Sequence, residues 1–490
     1  MSAQGKAMLS TLLNGIMDVS AEKDCEISSM TLDSREVNDG ALFVALGGTQ
    51  QHGLNYADVA RQQGAAAIIW ESDNSVTSEE RGIQQIEVPH LREHLGLIAD
   101  RFYGSPSQSL NVIGITGTDG KTSVSHFLAQ AIKQSAVIGT LGIGPLDNLQ
   151  KATHTTPDVI NVHKNLAAMK AQHVSTVAME VSSHALDQGR VANVAFDIAV
   201  LTNLSRDHLD YHKTVEAYGE AKEKLFTWPD LKALVINLDD AFGRKMAQKW
   251  GGVIGYGIGE VKDYPEGSLV AEGAIFTSNG IAAKIFYGTE SGQLNAAVLG
   301  RFNLSNLLAA LGAMLALDFS LTDALAQLNK VHTVAGRMEK VSDADILAVI
   351  DYAHTPNALE AVLKALREHT QSKLICVFGC GGDRDAGKRP LMAQIAEKYA
   401  DVVIVTDDNP RTENPEKIMQ DIISGFTDPQ KANIQHDRST AIHQALTQAK
   451  KGDTVLIAGK GHENIQILAT GSIPFSDREQ ANKVLQGMAA

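Results

Sequence analysis

The sequence predicts an α/β protein of three domains, and three observations carry that prediction. Its 490 residues are too many for one domain at about 150 residues per domain. Short apolar runs of strand length alternate with helical patterns, as in mostly parallel sheets covered by helices. A Gly-rich turn joins one such run to a helical pattern, where α/β proteins place phosphate-binding loops.

Composition narrows the function classes. Hydrophobic residues make up 44 % and charged residues 20 %, which suits a globular chain and is too apolar for disorder. The formal net charge of -14 excludes an overall basic field for gripping nucleic acid. It does not exclude an anionic ligand held by local backbone N–H groups. Cys25, Cys376 and Cys380 are odd in number and scattered, so they make no disulfide framework. Cys376 and Cys380 lie in or beside the apolar run 374–378 and read as buried thiols. No Cys or His pair there has zinc-ligand spacing. Residues 1–18 hold one lysine and only short apolar runs, unlike a signal peptide. No apolar stretch approaches the ~20 residues that span a bilayer. We expect a cytoplasmic monomer with no nucleic-acid partner and no membrane insertion.

The first segment, 1–108, has strand-like runs at 41–46 and 65–70 and ends in the linker-like Tyr103-Gly104-Ser105-Pro106-Ser107. The second, 109–335, opens with a buried strand at 112–116, followed by the Gly-rich turn and a helical pattern from Ser123. Further apolar runs stand at 176–179, 197–201 and 233–236. The third, 336–490, has runs at 346–350, 373–378, 402–405 and 454–457, with helical patterns at 357–366 and 389–399 between them. This third unit is Rossmann-like. Its Gly379-Cys380-Gly381-Gly382 lacks the glycine spacing of a dinucleotide fingerprint.

The turn reads Gly117-Thr118-Asp119-Gly120-Lys121-Thr122. Glycines let backbone N–H groups close around phosphate oxygens, and the helix N-terminus adds partial positive charge. Lys121 can reach β- and γ-phosphates, and the Thr122 hydroxyl can ligate magnesium. The loop is shorter than a full Walker A, which wants glycine where Ile115 stands. Other residues are plainer by themselves. Glu180 ends a strand, and His208 alone reads as a helix-cap or core histidine. Lys222, in Glu220-Ala221-Lys222-Glu223-Lys224, reads as an exposed helix charge. Asp239 and Asp240 end a strand and receive no role.

The continuation is more specific. His154-Thr155-Thr156-Pro157, Met179-Glu180-Val181-Ser182-Ser183-His184 and Thr202-Asn203-Leu204-Ser205-Arg206-Asp207-His208-Leu209-Asp210 follow the loop. Then come Gly300-Arg301-Phe302-Asn303-Leu304-Ser305-Asn306, Gly336-Arg337-Met338-Glu339, Asp351-Tyr352-Ala353-His354-Thr355-Pro356 and Asp408-Asn409-Pro410-Arg411. As an ordered set covering essentially the whole chain, these resemble the Mur ligase family.

The resemblance implies an N-terminal α/β nucleotide-sugar-binding domain, a central parallel-sheet P-loop-type ATPase domain and a C-terminal domain that closes over the site. It implies amide-bond formation driven by ATP with magnesium, in cytoplasmic peptidoglycan precursor synthesis. ATP would be held by Gly117, Thr118, Asp119, Gly120, Lys121, Thr122 and Ser123. Asn303 and Asn306 would lie on the adenine side, with Arg337 and Asp351 reaching ATP. Thr122 and Glu180 match the family's magnesium ligands. Lys222 matches the lysine that the family carbamylates, which with His208 would hold a second metal. Lys121, Glu180, His208 and Lys222 are thus the expected catalytic residues.

For the substrates, the resemblance implies UDP-N-acetylmuramoyl-L-alanyl-D-glutamate as carboxylate donor. Leu32, Ser34, Thr49, Gln50 and Gln51 would contact its uridine side. His154, Thr155, Thr156, Ser182, Gln188 and Arg190 would contact the muramoyl dipeptide. The Asp408-Asn409-Pro410-Arg411 form goes, within the family, with meso-diaminopimelate as acceptor, because a guanidinium forks onto its distal carboxylate. Arg384, Gly459 and Glu463 would hold the same amino acid. Three alternatives stay open at this level: lysine as acceptor, a nucleotide-binding scaffold without catalysis, and a folylpolyglutamate synthetase-like ligase. Arg411, the presence of the catalytic set, and the first segment weigh against them respectively.

Overall fold

The structure, a computed structural model, describes residues 5–48, 51–72, 82–342 and 345–489. Thr49 and Gln50, expected on the uridine side, lie outside the described residues. By internal contacts the chain divides into two compact units, Met1–Gly255 with Gly312–Leu317, and Tyr256–Leu311 with Asp318–Ala490.

Among the described residues the first unit carries a short antiparallel pair, Ala7–Met8 with Glu26–Ile27, and two larger sheets. A four-stranded parallel sheet runs in the order Ser29–Thr31, Ala41–Ala45, Ala67–Trp70, Gln85–Glu87. The larger sheet centres on Asn111–Thr116, which pairs in parallel with Thr176–Glu180 on one side and Ile198–Leu201 on the other. Ser135–Gly139 and Ala233–Asn237 extend it in parallel on either flank. The central strands are buried on both faces; Val112, Ile113, Val177, Ile198 and Val200 are fully enclosed. That is why they read as continuous apolar runs rather than alternating ones.

Two local expectations are corrected here. The helix after the glycine turn is Lys121–Ala131, so it begins before Ser123. Gly120, at φ +85°, occupies the left-handed region as its N-cap. This puts Lys121 and Thr122 in the first turn, among the N–H groups that have no intrahelical partner. Residues 103–107 are not a free linker. Pro106–Ser109 forms a 3-10 turn, and the buried Ser107 Oγ accepts from Ala195 N at 3.0 Å. The preceding helix Leu91–Phe102 packs into one core with Val159 and Ile160. Turn-forming residues mark a turn whether it is loose or packed.

The second unit has a parallel core in the order Leu347–Asp351, Thr454–Ala458, Leu374–Phe378, Val402–Val405, Ala432–Ile434, with Glu339–Ser342 antiparallel at the edge. Cys376 and Cys380 are buried, and burial pushes both thiols up to about 12. An antiparallel arm, Leu269–Thr277, Gly280–Tyr287 and Glu290–Ala296, has no counterpart among the expected strands. Among the described residues no helix is long and apolar enough to cross a membrane.

One buried group sets a pH limit on the first unit. His126, on the helix after the glycine turn, is pushed down by burial from 6.5 to about 4. In the unfolded chain it protonates near 6.5, so the unfolded state binds the extra proton first as pH falls. Stability from this site is complete above about 6.5 and is lost as pH drops toward about 4. Thermal melts at stepped pH should show the wild type losing ground to His126→Leu between those values. A constant difference in Tm across that window would refute the assignment.

Candidate active site

The glycine turn is shaped by a second loop, 202–205. Thr118 N donates to Asn203 O at 2.9 Å, Asp119 N donates to Asn203 Oδ1 at 3.0 Å, and Thr202 Oγ1 donates to Asp119 O at 2.6 Å. Gly117 stands at φ +149°, and a Cβ on it would lie 1.8 Å from Thr202 Oγ1, so only glycine fits. Lys121 Nζ donates to Gly117 O and Thr118 O, each at 2.8 Å. The sheet brings Glu180 to the same place from the C-terminal end of the neighbouring strand, where such sheets present ligand groups.

Glu180 is 1 % exposed. Its Oε2 accepts from Thr122 Oγ1 at 3.0 Å and from Thr140 Oγ1 at 3.1 Å; Oε1 accepts from Thr140 N at 2.9 Å. Burial pushes its carboxyl up, while the Lys121 charge and these hydrogen bonds act the other way. Thr140 was not among the expected residues. It stands at the end of a strand run without a motif around it, so the sequence offers no signal for it.

Lys222 corrects the reading of an exposed helix charge. It is 1 % exposed, on the helix Val215–Glu223. Its Nζ donates to Gly117 O at 2.8 Å and lies 4.3 Å from the centre of the Tyr218 ring. Burial, with the nearby Lys121 charge, holds its amine well below the usual lysine value. The charged neighbours that made it look solvated, Glu220 and Lys224, are exposed; Lys222 lies on the opposite face. His208 sits at the N-cap of Leu209–His212 at φ +52°, with no side-chain cap bond. Its ring is 5.9 Å from the Tyr218 ring and 4.8 Å from that of His184. Tyr218 is therefore shared by His208 and Lys222. Asp240 caps Ala241–Lys249, accepting from Gly243 N at 2.9 Å, and also accepts from Leu204 N at 3.2 Å.

The dipeptide-side residues form one patch beside this centre. Thr140 Oγ1 and Thr155 Oγ1 are 3.1 Å apart, and Thr156 Oγ1 donates to Glu180 O at 2.7 Å. Ser182 N donates to Thr156 Oγ1 at 3.1 Å. Arg190 donates to Gln188 Oε1 through Nε at 2.9 Å and to Thr156 O through Nη1 at 3.1 Å. His154 is exposed, with Nδ1 3.2 Å from Thr153 Oγ1. In the N-terminal sheet region, Ser34 is buried at the start of Ser34–Glu36, Leu32 packs against the local core, and Gln51 bonds the Tyr56 hydroxyl.

The second unit holds the remaining candidates. Asn306 Nδ2 donates to Asn303 Oδ1 at 3.0 Å, and Asn303 Nδ2 donates to Leu299 O at 2.8 Å. Asp351 ends a strand and accepts from Met338 N at 2.7 Å and Ala353 N at 2.8 Å. Burial pushes its carboxyl up, opposed by the charge of Arg337. The loop after Val402–Val405 carries Asp408, Asn409 and Pro410, all buried, and then the half-buried Arg411 at φ +54°. Arg411 Nη1 donates to Gly382 O at 3.0 Å, which ties it to the loop bearing the exposed Arg384. Asn409 Nδ2 donates to Glu463 Oε2 at 3.0 Å. A Cβ on Gly459, φ +119°, would lie 2.6 Å from Asp408 Oδ2. The structure thus gathers Asp408, Asn409, Gly459 and Glu463 from strand ends far apart in sequence.

A hard cation needs oxygen donors, and the Thr122 hydroxyl with the Glu180 carboxylate at 3.0 Å fits that demand. Among the described residues no cluster of three or more His, Cys, Asp or Glu side chains could hold a metal. The expected donor set does not depend on one, since it relies on hydroxyl, phosphate and carbamate oxygens.

Family models described as "Mur ligase family, catalytic domain", "Mur ligase middle domain" and "Mur ligase, glutamate ligase domain" match residues 26–103, 115–314 and 336–461. The UDP-N-acetylmuramoyl-L-alanyl-D-glutamate--2,6-diaminopimelate ligase of Ectopseudomonas mendocina is 48 % identical over 96 % of this chain and 97 % of its own. The ligase of the same name from Pseudomonas aeruginosa is 48 % identical over 95 % and 96 %. A solved structure of a ligase of that name superposes with a TM-score of 0.75 at 36 % identity, covering 100 % of both chains. The fold extends to MurF ligase from Thermotoga maritima in complex with ADP, with a TM-score of 0.64 at 22 % identity.

Proposed function

This chain belongs to the Mur ligase family, and from that premise we propose how its residues perform the family's chemistry. It is an ATP-dependent ligase that adds meso-diaminopimelate to UDP-N-acetylmuramoyl-L-alanyl-D-glutamate in peptidoglycan precursor synthesis. The observation that carries the residue roles is the meeting of Lys121, Thr122, Glu180 and the buried Lys222 around one phosphate loop.

Joining a carboxylate to an amine is uphill in water. The substrate carboxylate attacks the γ-phosphate of ATP, giving an acyl phosphate and ADP. The amine of diaminopimelate then attacks the acyl carbon, and phosphate leaves. The first step brings two anions together and the second, in which the neutral amine loses a proton, expels phosphate, so catalysis depends on placed positive charge and hydrogen-bond donors. Lys121 supplies a cation at the β- and γ-phosphates, and the N–H groups of the first helical turn add to it. Arg190, Thr156 and Ser182 position the dipeptide. Arg337, beside Asp351, supplies a further cation toward ATP. Magnesium, held by Thr122 and Glu180 and at a second position by His208 and carbamylated Lys222, would neutralise phosphate charge.

Lys222 suits carbamylation because burial and the nearby Lys121 charge favour the neutral form of its amine. A neutral amine adds carbon dioxide, forming an N–C bond and releasing a proton; an ammonium has no lone pair to do so. The product is an anionic oxygen donor. We infer a cytoplasmic reaction, because the carboxylate donor and ATP are both soluble metabolites, and we take the working form to be a monomer.

At the acceptor end Arg411 and Arg384 take the distal carboxylate, and Glu463 takes the ammonium beside it. Arg411→Ala should lower kcat/KM for diaminopimelate by about a hundredfold, as expected for a lost charge-assisted pair. Any activity with L-lysine should change by less than about threefold, since lysine offers Arg411 no distal carboxylate. The test is phosphate release from ATP with either amino acid, together with product mass. Equal losses for both would sink the specificity role. A wild-type product with lysine alone would overturn the choice of acceptor.

A further inference from the structure

Lys460 lies between Gly459 and Gly461, both at positive φ, +119° and +54°. The two glycines let the loop after Thr454–Ala458 fold its lysine inward, and Lys460 is 0 % exposed. An enclosed ammonium must find its hydrogen-bond acceptors inside the protein. Nζ donates to Asn409 Oδ1 at 2.9 Å and to Glu463 Oε2 at 3.2 Å, and stands 3.7 Å from Asp408 Oδ1.

These contacts determine how the acceptor loop faces its ligand. Asn409 Oδ1 accepts from both Lys460 Nζ and Ile467 N, at 2.9 and 3.0 Å. With its oxygen pinned by two donors, the amide must turn Nδ2 toward Glu463 Oε2, at 3.0 Å. Glu463 is thus held through Oε2 by two donors, which fixes its carboxylate while Oε1 stays available to a ligand.

We propose that Lys460 is a positioning residue for the incoming amino acid, locking the Asn409 amide and the Glu463 carboxylate in the orientation that receives its distal ammonium and carboxylate. The inference rests on the acceptor reading above. Lys460 itself touches no reacting atom. Its removal therefore loosens one substrate and leaves the nucleotide and the muramoyl dipeptide unaffected.

The test is steady-state kinetics of full-length Lys460→Met, varying each of the three substrates in turn, with Tm measured alongside. KM for diaminopimelate should rise about tenfold or more, as for a lost hydrogen bond to a charged group. KM for ATP and for the muramoyl substrate should stay within about twofold. In a double variant with Asn409→Ala the two losses should add only in part, because Lys460 acts through Asn409 as well as directly on Glu463. If Lys460→Met does not fold, Lys460→Gln, which keeps a donor toward Asn409 and drops the charge, should show a smaller rise confined to the same substrate. Parallel rises in all three KM values, or additive losses in the double variant, would overturn the role of Lys460. A wild-type chain that makes no diaminopimelate product would instead overturn the acceptor reading.

Discussion

Lys121→Met is expected to lower kcat/KM by about a thousandfold or more, the scale for removing a placed charge from a phosphoryl-transfer site. The expectation rests on position. Lys121 is the first residue of its helix, and its ammonium already lies over the loop carbonyls of Gly117 and Thr118. Methionine keeps the apolar stem and the helix propensity, so Tm should move little. Single-turnover phosphate release with saturating substrates separates chemistry from binding. A loss below tenfold in that experiment would remove Lys121 from the transition state.

Lys222→Met should separate stability from activity. An ammonium at this enclosed position is disfavoured, and the folded-state value is held below the ordinary 10.5. The unfolded chain therefore binds the proton that the folded chain resists. The sign follows: Lys222 lowers stability at every pH below the free-amine value, fully so below its folded value. Methionine, of similar shape and without that cost, should leave Tm unchanged or higher. Ligase activity should fall by about a thousandfold, because no carbamate oxygen can form. Wild-type activity at limiting bicarbonate should also fall as pH drops through the amine's folded value, since only the neutral amine adds carbon dioxide. Intact-mass spectra under carbon dioxide should show the adduct on the wild type and not on the variant. An unchanged rate in Lys222→Met would end the carbamate reading, whatever the stability did.

Much of this protein was legible from local sequence. The parallel strands at the functional sites lie within two residues of their expected positions: Asn111–Thr116 against 112–116, and Val402–Val405 on the expected run itself. Buried parallel strands must be apolar on both faces, so their signal is continuous and short. The antiparallel arm Leu269–Thr277 to Glu290–Ala296 carries a weaker pattern. Along Leu269–Thr277 buried residues give way to alternating ones, so no single period marks it. Gly120 and Lys121 were legible as part of a Gly-rich turn between strand and helix, although the helix begins at Lys121 and not at Ser123.

What the sequence by itself determined was the order of the apolar parallel strands it marked, the Gly-rich turn, and the residue types available for ligand, because each depends on neighbours along the chain. Only the tertiary structure decided which charges are enclosed. Lys222 stands among charged neighbours that read as solvated and Lys460 between two glycines, yet both are buried. Desolvation depends on everything packed around a group, not on its neighbours in the chain. For that reason the folded chain alone could show Lys222 and Lys460 enclosed while Lys121 lies half-buried over the carbonyls of its own loop.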